Sequence, residues 1–162
     1  MHKEIFSLYD DFKEEFLQND KKIKILEVGS KLGRAGLLRD RSSSKWEYIG
    51  LDVLPGRNVD IVSEDPYSYP LEDNSFDVVL STSTAEHVKD MFSWIKEVAR
   101  VAKDLVWIVA PNTYPEHGRL DYWRIMPKGM LYLLDEVAGL EIIRVEKSKH
   151  NPVDTVGIAR KK

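Results

Sequence analysis

Residues 24–36 read KILEVGSKLGRAG, a run of strand-forming apolar residues that passes without a break into a glycine-bearing turn. Ile25, Leu26 and Val28 carry the near-continuous apolar text of a parallel strand buried on both faces, where a half-exposed strand would alternate. Gly29 and Gly33 then interrupt it. Glycine lets the backbone turn sharply and lets a ligand approach the main chain, and a helix opening near Gly33 would leave its first N–H groups unpaired, ready for an anion or a carboxylate. Glu27 stands at the end of the apolar run, at the carboxyl edge of a central strand, where open α/β sheets bind their ligands.

The next apolar segment, WEYIGLDV (Trp46 to Val53), ends in Asp52. An acid roughly 20 residues beyond a glycine turn can accept hydrogen bonds from both hydroxyls of a ribose. Nicotinamide-dinucleotide proteins use such an acid behind G-x-G-x-x-G. Here Lys31 and Arg34 occupy the two remaining glycine positions, which fits that fingerprint poorly. The acid-x-Gly-x-x-x-Gly spacing of Glu27, Gly29 and Gly33 instead resembles motif I of the class I S-adenosylmethionine-dependent methyltransferases, with Lys31 where that family's middle glycine usually sits. A small-molecule subgroup with E-V-G-S in this motif is closer still, and the likeness runs from about Ile23 to at least Gly139.

The resemblance implies S-adenosyl-L-methionine as cofactor, S-adenosyl-L-homocysteine as product, and a cofactor set of Glu27, Gly29, Ser30, Gly33, Asp52, Val53, Asp65, Pro66 and Ser81. Within that set Asp65 would accept from the exocyclic amine of the adenine. Ser81, after the fourth strand, would lie near the methionine amine. The run PLEDNSFD (Pro70 to Asp77) is similar to the P-x-x-D-x-S-F-D text of the small-molecule methyltransferases, and Glu86-His87 to the E-H pair that ends the same group's motif.

Composition narrows the classes. At 162 residues the chain is one domain, long enough for a sizeable core and too short for a separate substrate domain. Net charge −3 gives no reason to expect nucleic acid as a partner. No apolar run reaches the roughly 18 residues that span a bilayer, and the start MHKEIF lacks the apolar core of a signal peptide, so no membrane partner and a cytoplasmic location are expected. The absence of cysteine removes disulfides and thiolate-bound zinc, and no metal site is expected.

Along the chain, Ile5, Leu8, Tyr9, Phe12 and Phe16 share one face of an N-terminal packing helix over residues 3–17, ended by Asn19 and Asp20. After the second strand, Pro55-Gly56-Arg57 turns into a third strand, Asn58 to Val62. That connection is too short for a helical crossover, so one family helix is missing, and an exposed apolar strip there would favour a homodimer. Phe76 to Leu80 forms the fourth strand. Asp90 to Lys103 is a helix with Phe92, Ile95, Val98, Ala99 and Ala102 inward, and Leu105 to Ala110 the fifth strand. Pro127 opens a helix carrying Met130, Leu131, Leu134 and Val137, closed by Gly139. Leu140 to Glu146 and Thr155 to Ala159 finish the sheet as antiparallel neighbours. The fold expected is α/β: a doubly wound, mostly parallel seven-stranded sheet, Rossmann-like, with the last strand antiparallel.

The acceptor site is expected on the loop PNTYPEHGRLDYWRIMP (Pro111 to Pro127), at the carboxyl end of the fifth strand. His117 would take or orient a proton of the acceptor, with His87 as the other catalytic candidate. Asp121, Tyr122 and Arg124 would bind a small-molecule substrate, Arg124 through an anionic group. The competing reading makes the loop a structural clamp in which Asp121 pairs with Arg124 and Trp123 plugs the core. Two rival functions stand beside methyl transfer: a catalytically inactive S-adenosylmethionine-binding module, and a nicotinamide-dependent oxidoreductase.

Overall fold

The computed structural model describes residues 4–17, 21–31 and 37–162. Gly33, the helix start expected beside it, and the Asn19-Asp20 stop lie outside these residues. The strand after the N-terminal helix α1 (Glu4–Phe16) is β1 (Lys24–Val28). It pairs in parallel with β2 (Glu47–Asp52) on one side and β4 (Phe76–Thr82) on the other. β3 (Ile61–Val62) extends the sheet beyond β2, and β5 (Ala102–Pro111) beyond β4. β7 (Asp154–Arg160) then inserts between β5 and β6 (Glu141–Lys147), antiparallel to both. The order is β3-β2-β1-β4-β5-β7-β6, and β7 alone runs against the rest, as expected from the sequence.

The unbroken apolar text of β1 follows from its two neighbours in space. Ile25 packs with Ile5, Tyr9 and Phe12 of α1, with Trp107 of β5 and with Val156 of β7. Leu26, one residue on, faces the other way into a cluster with Trp94, Ile95 and Val98. Those three belong to α2 (Met91–Val101), which Asp90 caps by accepting from the Ser93 N–H at 3.1 Å. Tyr9, Phe12 and Trp107 are all buried, and the Phe12 and Trp107 rings stack at 5.2 Å.

Several expected boundaries shift for local reasons. α2 ends at Val101 because Ala102 already pairs with Phe76, so helix passes into strand without a loop. Phe92, expected inward, is exposed and meets Tyr132 edge-on: the inner stripe starts at Met91 and continues through Trp94, Ile95 and Val98. The helix from Pro127 is two pieces, α3 (Pro127–Leu131) and a π-helical turn Tyr132–Val137. The wider turn buries Leu133 and Leu134 and leaves Leu131 exposed. Gly139, at φ +70°, closes it by donating to the Asp135 carbonyl.

The third strand is shorter than expected because Asn58 sits in the left-handed region, at φ 72°, and only Ile61 and Val62 pair. Residues 53–60 contain no helix, and Val53, Leu54 and Val62 are exposed at this edge. Among the described residues no helix is long and apolar enough to cross a membrane.

Phe12→Ala should lower the free energy of unfolding by about 3–5 kcal/mol, because it empties the space above Trp107. Urea denaturation measures this. A loss below about 1 kcal/mol would mean that α1 is not part of the cooperative core.

Candidate functional site

Where β1, β2 and β4 end, the chain leaves a cleft of about 660 Å³, within the usual range for small-ligand sites. Gly29, Asp52, Val53 and Pro66, all expected in the cofactor set, line it. The glycine at 29 is required twice over. Its φ is +76°, and a Cβ built there would lie 2.0 Å from the Thr84 Oγ1. The N–H groups of Gly29 and Ser30 both donate to the Leu51 carbonyl, at 2.8 and 3.0 Å, so the turn is bound to β2 through its backbone.

Asp52 is held by the same turn. Its Oδ2 accepts from the Lys31 N–H at 2.9 Å and its Oδ1 from the Leu54 N–H at 3.1 Å. Both oxygens are fixed at the tip of β2, and each keeps a further acceptor position. Lys31, the residue in place of a motif glycine, runs its aliphatic chain over Gly56 of the β2–β3 connection. It lines the cleft as well, so part of its bulk faces that space.

Glu27, Ser30, Ser81 and Asp65 are not on the cleft wall. Glu27 is 3% exposed and points into a buried network, accepting from the Tyr48 hydroxyl at 3.0 Å and the Asn58 side-chain amide at 2.7 Å. Burial pushes its carboxyl up to about 7, against the opposing pull of those two hydrogen bonds and of Arg39. Ser30 donates to the Asn58 carbonyl at 2.9 Å, and Asn58 returns its amide to the Ser30 carbonyl at 3.2 Å. The three residues thus clamp the turn after β1 to the β2–β3 loop. Ser81 is buried and donates to the Val28 carbonyl at 2.8 Å, tying β4 to β1. Asp65 is exposed and folds back onto the Tyr67 N–H at 2.8 Å, while Glu64, beside it, lines the cleft.

The far end of the cleft is walled by His87, Val88, Leu120 and Tyr122. The loop after β5 reaches this wall because Tyr122 N–H donates to the Glu86 carbonyl at 2.8 Å and Trp123 Nε1 to the Val88 carbonyl at 2.7 Å. Within the loop Arg124 forms a two-pronged pair with Asp121, 2.6 Å on each prong, and gives its remaining donors to the carbonyls of Tyr114, Pro115 and Trp123. The guanidinium holds the Asp121 carboxyl far below the usual range. Arg124 and Asp121 therefore face into the loop, away from the cleft, in the clamp geometry; Trp123, however, is partly exposed and not a core plug. Tyr122 alone of the expected substrate set lines the wall.

His87 and His117 come together at 5.2 Å between ring centres, edge to face. Glu86 lies beneath them, 1% exposed, with its carboxyl pushed up to about 7 by burial. Sequence reasoning missed Thr84, Asn58, Glu64 and Leu120. Their roles depend on packing between segments distant in the chain, which no local spacing signals.

Glu27 is a source of pH dependence. An acid with a folded-state pKa of about 7 against an ordinary 4.5 favours the fold fully below 4.5, and that contribution is lost as pH rises through 7. Glu27→Gln should therefore gain about 2–3 kcal/mol on the wild type between pH 4.5 and 8, read by urea denaturation across that range. A constant difference would contradict the buried, neutral carboxyl.

Residues 32–110 match the family model described as a methyltransferase domain. No curated protein matches the sequence. Among solved structures the chain is similar to a SAM-dependent methyltransferase from Aquifex aeolicus, at 18% identity and TM-score 0.69, covering 94% of this chain and 88% of that one. A putative methyltransferase from Bacillus halodurans C-125 gives 14% identity and TM-score 0.72 over 96% of this chain and 98% of that one. Magnesium protoporphyrin IX methyltransferase from Synechocystis PCC 6803, solved with S-adenosylhomocysteine bound, gives 12% and 0.72 over 99% and 84%. Residues 32–110 thus resemble a methyltransferase domain, and the chain shares the fold of the SAM-dependent methyltransferases to which it is similar.

Proposed function

We propose that this protein transfers the methyl group of S-adenosyl-L-methionine to a small-molecule acceptor, with the cofactor lying in the cleft over the ends of β1, β2 and β4. The observation that carries the reading is the pairing of Gly29 with Asp52. One supplies a bare stretch of backbone, and the other a carboxylate pinned at the tip of the neighbouring strand. The Asp52 oxygens accept from the two ribose hydroxyls, while the sulfonium end passes over Gly29 towards His87 and Tyr122. Val53, Pro66 and Tyr67 wall the nucleoside end. Glu27, Ser30 and Ser81 act from behind that wall, holding the turn and β4 in position.

The chemistry asks little of the protein beyond alignment. An acceptor nucleophile attacks the methyl carbon in line with the departing sulfur, the carbon–sulfur bond breaks, and S-adenosyl-L-homocysteine leaves. The cleft brings the two reactants together and excludes water. The apolar wall of Leu120, Val88 and Trp94 suits that exclusion. A base is needed only for acceptors that carry a proton at neutral pH.

Isothermal titration with S-adenosyl-L-homocysteine should give saturable binding. Asp52→Ala should weaken it more than tenfold, since charge-assisted hydrogen bonds are each worth roughly 1.5–3 kcal/mol. Equal affinity in the variant would remove the ribose assignment. Gly29→Val should abolish binding, because its side chain would occupy the position of Thr84. Turnover with methyl-labelled cofactor over a metabolite panel identifies the acceptor. Cofactor binding without transfer to any member, or to protein or nucleic acid added as alternative acceptors, would favour the inactive binding module.

A further inference from the structure

Glu86 is an anomaly. Its side chain is 1% exposed, and its Oε2 is buried without a hydrogen-bond partner. A buried carboxylate oxygen left alone forfeits its hydration, so an orphan of this kind calls for a partner. Its other oxygen, Oε1, lies 3.8 Å from His87 Nε2. One ligand-type atom from each of Glu86, His87 and His117 lies within 4.8 Å of the other two.

The second nitrogen of each ring is already committed. His87 Nδ1 sits against the Leu120 carbonyl, which as an acceptor requires the proton on Nδ1. His117 Nδ1 lies 3.1 Å from the Asp121 carboxylate and 3.3 Å from the Pro115 carbonyl, again two acceptors. In both rings Nε2 is thereby left as the lone-pair nitrogen. A ring N–H given to a carbonyl or a carboxylate is the support by which proteins orient and strengthen metal-binding histidines. Asp121 is itself held by Arg124, so the acceptor that faces His117 Nδ1 is fixed in place.

We propose that Glu86, His87 and His117 form a binding site for one divalent transition-metal ion of the zinc type. Two imidazole nitrogens and one carboxylate oxygen are a donor set that such ions take, with a fourth position left for solvent or a ligand. Tetrahedral donors about zinc lie roughly 3.3 Å apart, so the three groups must draw in by about 1–1.5 Å. They can do so because the histidine side chains are 38% and 43% exposed and sit on a short 3₁₀ turn, Ala85–His87, and a loop. Charge permits it as well. The Arg124 guanidinium is paired with Asp121 and so is not a free positive charge facing the site. His87 also lines the cleft, so the open position of the ion faces that space.

The test uses the full chain without a histidine tag, stripped by a chelator. Calorimetric titration with Zn²⁺ should show one ion bound per chain at micromolar affinity, and Co²⁺ should develop visible absorption of a low-coordinate, nitrogen-containing site. His87→Gln and His117→Gln should each weaken Zn²⁺ binding about tenfold or more, and the double variant should lose it. Both positions are partly exposed, so these variants keep the fold; Glu86→Gln, at a buried position, should also lose the ion. Far-UV circular dichroism and S-adenosyl-L-homocysteine titration on the same samples report fold and cofactor cleft separately, which keeps a failure of this site distinct from a failure of the methyltransferase reading. No saturable binding below millimolar Zn²⁺, or binding undiminished in the folded double histidine variant, would overturn the proposal.

Discussion

The close approach of Gly29 to Thr84 sets the geometry of the whole ligand edge. A Cβ at Gly29 would fall 2.0 Å from a threonine oxygen, so the end of β1 and the segment after β4 can meet only because one of them has no side chain. That contact lets the turn after β1 lie low over the sheet, where its N–H groups reach the Leu51 carbonyl. The same turn then hands the Lys31 N–H to Asp52. Cleft floor, acid and turn are one hydrogen-bonded unit.

Two further devices hold that unit in place. Behind it, Glu27, Asn58 and Ser30 bind the turn to the β2–β3 connection, replacing with polar contacts what a helix would otherwise supply by packing. Burying Glu27 has a cost in desolvation, visible in its raised pKa. In front, the loop after β5 is riveted to the segment after β4 through the Glu86 and Val88 carbonyls. The Asp121–Arg124 pair stiffens the loop from within. The two ends of the cleft are thus built by different means, one from strand termini and one from a braced loop.

Much of this was legible from residues 24–36 and 46–53, because a strand buried on both faces cannot disguise itself: Ile25 and Leu26 must each find a core, and they do so on opposite faces of the sheet. The place of Asp52 at the tip of β2 was legible for a similar reason, since it closes an apolar strand. Glu27, expected on the strand pattern to meet a ligand, is an internal tie; the pattern gives its position at the edge, and only the placement of Tyr48 and Asn58 decides which way it faces. Periodicity turns Phe92 and Leu131 inward, but a one-residue phase at Met91 and a π-helical turn after Leu131 put them outside. The meeting of Glu86, His87 and His117 was beyond the sequence altogether, since it depends on how the loop after β5 folds back.

The proposed pose lays the cofactor across the turn after β1 with its ribose on Asp52. A crystal structure of the protein grown with S-adenosyl-L-homocysteine tests it most directly. Both ribose hydroxyls should lie within hydrogen-bonding distance of the Asp52 carboxylate, roughly 2.5–3.0 Å, with the homocysteine chain passing over Gly29. Ligand density elsewhere, or a ribose held by other groups while Asp52 keeps only its backbone partners, would contradict it.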